Sequence, residues 1–88
     1  MLEITYRASP LRNLRRMQPR TARRIRAKIN AVASDPSNPS LGVKPLVGRP
    51  GFRLRVGTWR ILFVMDTKRL EVLAIDSRGQ VYKPRRNR

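Results

Sequence analysis

Residues 52–63 constrain the fold of this chain most, because apolar and charged side chains alternate on both sides of the pair Gly57-Thr58. A two-residue loop that begins with glycine is typical of a tight β-hairpin, and successive strand residues point to opposite faces of the sheet. The predicted cross-strand pairs are Val56 with Trp59, Arg55 with Arg60, and Leu54 with Ile61. The segment therefore predicts an amphipathic hairpin.

The two faces of this predicted hairpin differ in character. The apolar face is expected to join the core and collects Phe52, Leu54, Val56, Trp59, Ile61 and Phe63. The opposite face collects Arg53, Arg55 and Arg60. Like charges that face each other across two strands, such as Arg55 and Arg60, destabilise a hairpin unless an anion neutralises them. This face therefore indicates an anion-binding surface, with an ordinary solvated outer face as the alternative.

The charge of the whole chain favours anion binding. Its 88 residues, enough for one small domain, include 21 Lys and Arg against 5 Asp and Glu, which gives a net charge of +16 and a pI near 12.0. Such a positive field attracts polyanions, of which nucleic acid is the best match. We expect no membrane partner, because no apolar run approaches the roughly 20 residues of a spanning helix. We expect no small-molecule ligand.

The missing residue types exclude several kinds of chemistry. The chain has no cysteine and no histidine. It therefore lacks a disulfide framework, the usual zinc site and a histidine base. The sequence shows no cluster of carboxylates, so we expect neither a metal ion nor another cofactor. Cytoplasmic residence is the default expectation for such a chain.

Two helices are predicted between a first strand and the hairpin. Residues 2–6 alternate as a strand does. Ser9 and Pro10 are typical of a helix N-cap and a first helical position. Residues 19–34 carry one apolar stripe at helical spacing and predict a second helix. A tight join between the two predicts an antiparallel helical hairpin.

The rest of the chain completes an α+β fold. Residues 35–45 are rich in Pro, Ser, Asn and Gly and predict a loop, whereas the apolar residues 70–75 predict a strand. The predicted order is β-α-α-β-β-β, with a mostly antiparallel twisted sheet and the helical hairpin packed on one face. We expect residues 1–83 to form a single small domain and residues 84–88 to form a flexible basic tail.

Basic residues outside the hairpin form two further groups. Those of the second helix either contact RNA phosphates or form a solvated face, and those near the C-terminus are candidate phosphate tethers. The predicted RNA- or ribosome-binding residues are Arg20, Arg23, Arg24, Arg26, Lys28, Lys83, Arg85 and Arg86.

The segments 52–63 and 72–82, together with the order of elements, resemble the RelE/ParE superfamily of toxins from bacterial type II toxin–antitoxin systems. The resemblance is closer to the RelE branch, whose members are ribosome-dependent mRNA endonucleases. It implies an enzyme that cuts the codon in the ribosomal A site without a metal ion and so inhibits translation. It also implies an acidic antitoxin, partly disordered when free, as the cognate partner.

The resemblance implies a role for each candidate catalytic residue. Arg53 and Arg55 match basic residues, often lysines, that contact the scissile phosphate and help to activate the attacking 2′-hydroxyl. Arg60 matches an arginine that stabilises the developing charge. Arg78 matches an arginine assigned to the transition state or the leaving group, and Tyr82 matches a tyrosine that stacks on a base or orients the nucleophile. Because arginine is a poor general base, its presence at both lysine positions leaves the proton acceptor open.

Other interpretations stay open for these residues and for the chain. Asp76, where glycine is usual in the motif, is a candidate to orient Arg78, or the two form an ordinary surface ion pair. Tyr82 is alternatively an aromatic residue that packs at a strand edge. The whole chain is alternatively a ParE-like inhibitor of DNA gyrase, or a noncatalytic basic module that binds RNA or the ribosome.

Overall fold

The computed structural model of the protein describes residues 1–77. The elements in chain order are β1 (Glu3–Tyr6), α1 (Ala8–Arg16), α2 (Pro19–Ser34), a 3-10 helix (Pro39–Leu41), β2 (Lys44–Pro45), β3 (Phe52–Val56), β4 (Trp59–Met65) and β5 (Arg69–Ser77). The predicted domain boundary after residue 83 lies outside the described residues. So do the predicted site residues Arg78, Tyr82, Lys83, Arg85 and Arg86.

The sheet has five strands in the order β1-β5-β4-β3-β2. β1 runs parallel to β5, and every other neighbouring pair is antiparallel. α1 packs on β5, while α2 contacts β1 and β3, so the helical hairpin covers the inner face of the sheet. The predicted α+β class, with a mostly antiparallel sheet and helices on one face, is confirmed.

The core lies between the helices and the inner face of the sheet. It forms because the apolar stripes of both helices meet the inward-facing residues of the strands. Its largest buried members are Leu14, Ile25, Ile29, Val32, Leu54, Ile61, Phe63, Leu70, Val72 and Ile75. Phe52 and Trp59 are half-buried and pack against this core, and the rings of Phe52 and Phe63 stack with centroids 5.6 Å apart.

The arginine-bearing hairpin has the register that its alternation predicts. Leu54 pairs with Ile61, Arg55 with Arg60, and Val56 with Trp59. Gly57 has a φ of +60°, a value that glycine adopts without steric cost and that a two-residue hairpin loop requires at its first position. The turn therefore fixes which side chains share a face.

The start of α1 differs from the prediction. Ser9 is not the N-cap, because the helix begins at Ala8 and Arg7 occupies the capping position. The N–H of Leu11 donates to the carbonyl of Arg7 at 3.1 Å and closes the first turn. Pro10 is tolerated at the third helical position, since the first N–H groups of a helix have no intrahelical partner. Pro10 is fully buried in this first turn.

The predicted loop at residues 35–45 contains two short elements that the sequence pattern did not reveal. Asn38 accepts a hydrogen bond from the N–H of Ser40 at 2.9 Å and caps the 3-10 helix. β2 then pairs with β3 at the edge of the sheet, where Lys44 lies opposite Arg53. Proline is allowed in such an edge strand because its missing N–H has no partner to lose. The order is therefore β-α-α-β-β-β-β.

An irregularity in β5 sets the position of its last residues. The register between β4 and β5 shifts between Leu62 and Phe63, as at a β-bulge, so that Ile75 reaches the core and Asp76 lies opposite Arg60. The side-chain amide of Asn13 on α1 donates to the carbonyl of Ile75 at 2.7 Å. This hydrogen bond attaches α1 to the end of β5 directly before Asp76.

Candidate functional site

The basic side chains of β2, β3 and β4 form a continuous surface on the outer side of the sheet, which we call the arginine face. It consists of Lys44, Arg53, Arg55 and Arg60, with Asp76 at its margin on β5. Lys44 and Arg53 are neighbours in one cross-strand row of this surface. The next row contains Arg55, Arg60 and Asp76. Because neighbouring strands lie about 4.8 Å apart, each row brings its groups within reach of one phosphate or of two successive phosphates.

Burial differs along this face. Arg55 is exposed, whereas Arg53 and Arg60 are half-buried. The Nε atom of Arg60 is fully buried and has no hydrogen-bond partner in the described part of the chain. A buried donor without an acceptor costs about 1–3 kcal/mol, so the position of Arg60 lowers the stability of the fold.

Charge is balanced at the other end of the same outer surface. Arg7 Nε lies 3.4 Å from Glu71 Oε2, and Arg69 Nε lies 3.4 Å from Glu3 Oε1. Asp66 accepts the N–H groups of Lys68 and Arg69 at 2.7 and 2.8 Å, which lowers the pKa of its carboxyl. Among residues 1–77, no ion pair joins a carboxylate to the arginine face. Its cations are therefore available to an external anion.

The predicted basic residues of α2 divide between two sides of the helix. Arg24 and Lys28 line a shallow cleft with Arg55, so they extend the arginine face around the edge of β3. Arg26 lies on the opposite side, with its guanidinium 5.3 Å from the centroid of the Tyr6 ring. The helix does not bring Arg26 to the arginine face. Arg20 and Arg23 are exposed elsewhere along α2.

Comparison with known proteins identifies the family. The family model for the ParE toxin of type II toxin–antitoxin systems, parDE, matches residues 4–82. The chain belongs to this toxin family. No curated protein matches the chain in a sequence search.

Solved structures share the fold of the toxin at low sequence identity. The RelBE2 toxin–antitoxin complex of Mycobacterium tuberculosis is 22% identical over 88% of this chain and 98% of that chain, with a TM-score of 0.73. The archaeal RelE–RelB complex of Pyrococcus horikoshii is 18% identical over 90% and 97%, with a TM-score of 0.75. The intact E. coli RelBE complex is 15% identical over 88% and 96%, with a TM-score of 0.72. The predicted membership of the RelE/ParE superfamily is confirmed.

The structure adds Lys44 to the candidate site of the toxin. Sequence analysis missed it because its segment predicts a loop, whereas pairing with Arg53 places it on the arginine face. The local sequence signal for an edge strand here is the pair Lys44-Pro45, because lysine and proline are both common in edge strands. Trp59 lies on the inner face, as predicted, and packs against the core as a half-buried side chain.

Two further features are absent from residues 1–77. Within this range no group of three or more His, Cys, Asp and Glu residues is placed to hold a metal ion. No helix in the same range is long and apolar enough to cross a membrane.

Proposed function

We propose that the toxin is a ribosome-dependent mRNA endonuclease that cuts the codon in the A site by attack of an RNA 2′-hydroxyl on the adjacent phosphate. The observation that supports this proposal most is the unneutralised arginine face, with Arg55 directly opposite Arg60 and a buried donor of Arg60 without an acceptor. An RNA phosphate supplies the negative charge that this pair of opposed arginines lacks. Guanidinium groups suit this task because they bind phosphate through two parallel hydrogen bonds.

The chemistry requires little beyond fixed cations and an oriented substrate. Arg53 and Arg55 bind the scissile phosphate, and Arg60 stabilises the charge that develops as the phosphorus becomes five-coordinate. The strands hold these side chains in one register, so the positive charge is preorganised before the substrate arrives. Arg78 and Tyr82, as predicted from the resemblance, complete the set by assisting the transition state and stacking on a base.

The partners follow from charge. Arg24 and Lys28 carry the positive surface onto α2, where they contact ribosomal RNA phosphates in our proposal. A net charge of +16 also favours an acidic antitoxin as the cognate partner. The similar structures of RelBE2 and RelE–RelB are themselves toxin–antitoxin complexes.

Primer extension on a defined mRNA tests the proposal. Purified toxin is added to programmed ribosomes with an empty A site, and the same mRNA free in solution serves as the control. We expect cleavage within the A-site codon only on ribosomes. Absence of cleavage by folded toxin would contradict the proposal.

Tyr82→Phe is expected to relieve growth arrest in cells that express the toxin.

A gyrase inhibitor is the second candidate function, because the matching family model describes a ParE toxin. Such a protein acts by binding and does not require a convergent set of arginines. Supercoiling by purified gyrase, measured with and without the toxin, separates the two: inhibition without RNA cleavage favours the ParE activity. A noncatalytic RNA-binding module, the third candidate, loses affinity gradually as single arginines are replaced, whereas an enzyme loses rate steeply.

A further inference from the structure

The proposed reaction needs a group that accepts the proton of the 2′-hydroxyl, and arginine cannot do so because it stays protonated. We propose that Asp76 is this general base. The inference rests on the proposed function and goes beyond it by assigning a catalytic carboxylate to the arginine face.

Asp76 lies at the β5 end of the row that also contains Arg55 and Arg60. Arg60 on β4 lies between Arg55 on β3 and Asp76 on β5. Directly paired residues share a face and have Cβ atoms about 4.5–5.5 Å apart, so a phosphate on the two arginines lies beside the carboxylate. A nucleotide held there presents its 2′-oxygen, which is adjacent to the phosphate, to Asp76.

No other acidic side chain within residues 1–77 is in a comparable place. The chain has 5 acidic residues, and all of them are described. Glu3 and Glu71 form ion pairs at the other end of the outer surface. Asp66 accepts backbone N–H groups in a turn, and Asp35 lies at the C-terminal end of α2. Glu71 precedes Asp76 by five positions on the same strand, a distance of about 16 Å in an extended chain.

The backbone next to Asp76 is fixed by a hydrogen bond, whereas its carboxylate forms no ion pair within residues 1–77. Asp76 is half-buried, and the hydrogen bond from Asn13 to the carbonyl of Ile75 fixes the preceding residue. The charged groups that face it from neighbouring strands are Arg60 on β4 and, one strand further, Arg55 on β3. Arg60 Nε has no acceptor, so within residues 1–77 the carboxylate does not bind that atom.

The step is balanced without any co-reactant. An oxygen of Asp76 takes the proton of the 2′-hydroxyl while the 2′-oxygen forms a bond to phosphorus. The bond from phosphorus to the 5′-oxygen of the next nucleotide breaks, and that oxygen takes a proton from water. Asp76 then returns its proton to the solvent. The products carry a 2′,3′-cyclic phosphate and a 5′-hydroxyl.

Replacement of the carboxylate tests the proposal. Single-turnover cleavage on programmed ribosomes is measured for the native toxin, Asp76→Asn and Asp76→Glu. Glu71→Gln is the matched control, because it removes a carboxylate from the same face of the same strand. We expect Asp76→Asn to slow cleavage by about 10²–10⁴-fold, the usual contribution of a general base. Asp76→Glu restores part of the rate, Glu71→Gln retains the native rate, and all variants show native circular dichroism.

Two readouts separate a general base from a residue that only orients Arg60. Asp76→Asn should leave ribosome binding unchanged and remove the acidic limb of the pH–rate profile, whereas a positioning role leaves the shape of that profile unaltered. An unaltered profile, or an Asp76→Asn variant with the native rate, overturns the assignment while the endonuclease function stands. Absence of cleavage by the native toxin overturns the proposed function and this assignment together.

Discussion

The basic residues at the two ends of the outer sheet surface differ in whether a carboxylate pairs with them. At the β1–β5 end, Arg7 and Arg69 each lie 3.4 Å from a glutamate oxygen. On the arginine face, Arg55 and Arg60 are cross-strand neighbours, and no ion pair within residues 1–77 neutralises them. The same surface is therefore self-neutralised at one end and open to an anion at the other.

This contrast indicates where function lies. Exposed ion pairs such as Arg7–Glu71 contribute about 0–1 kcal/mol each, so the paired end is ordinary protein surface. Opposed arginines lower the stability of a sheet, and a buried donor without an acceptor lowers it further. A surface that opposes folding in this way is explained by an anionic ligand, which in our proposal is an RNA phosphate.

The largest expected difference between the two ends is in the cleavage rate of arginine-to-alanine variants. Arg60→Ala should slow A-site cleavage by about 10²–10³-fold, because it removes a preorganised donor to the developing charge. Arg69→Ala, at the paired end, should retain the native rate. Single-turnover primer extension measures both variants. Equal rates for the two variants would contradict a catalytic arginine face.

A smaller difference is expected in salt dependence. Each arginine that contacts a phosphate adds about one unit to the slope of log affinity against log salt concentration. Arg53→Ala and Arg55→Ala should therefore each lower the slope of ribosome binding, and Arg7→Ala should not. Filter-binding titrations at several potassium chloride concentrations provide the measurement. An unchanged slope in Arg55→Ala would place the phosphate elsewhere.

Replacing an arginine should change the free energy of unfolding in opposite directions at the two ends. Arg55→Thr relieves a like-charge pair with Arg60 and should raise the free energy of unfolding by about 0.2–1 kcal/mol. Arg69→Thr breaks the pair with Glu3 and should lower it by no more than about 1 kcal/mol. Urea unfolding without RNA or antitoxin tests both changes. Destabilisation by Arg55→Thr would show that the arginine face is not under strain.

The smallest effect is expected from Tyr6 on the inner side of β1. Burial raises the pKa of its hydroxyl, partly offset by the charge of Arg26 and a hydrogen bond with it. The neutral form is thus favoured in the folded state, so this contribution to stability is complete below the unfolded pKa near 10 and is lost as pH rises through the folded value. Tyr6→Phe should lose less stability than the native toxin at strongly alkaline pH, as measured by thermal unfolding.

Local patterns predicted most of the fold because they depend on residues close together in sequence. The hairpin register follows from the period of two and the Gly57-Thr58 turn, and α2 begins at Pro19, where its fixed backbone suits a first helical position. The start of α1 was predicted less well. There, a backbone hydrogen bond from the N–H of Leu11 to the carbonyl of Arg7 extends the helix past Ser9, which therefore does not act as the N-cap.

Local sequence alone places three arginines on one face of a hairpin, since strand periodicity and turn geometry are local properties. The residues that lie beside these arginines depend instead on how distant strands pair. Lys44 joins the face through pairing of β2 with β3, and Asp76 meets Arg60 because the register of β5 shifts by one residue. Such neighbours depend on strand order and on contacts between distant segments, and a shift of one position reverses the face of every following side chain.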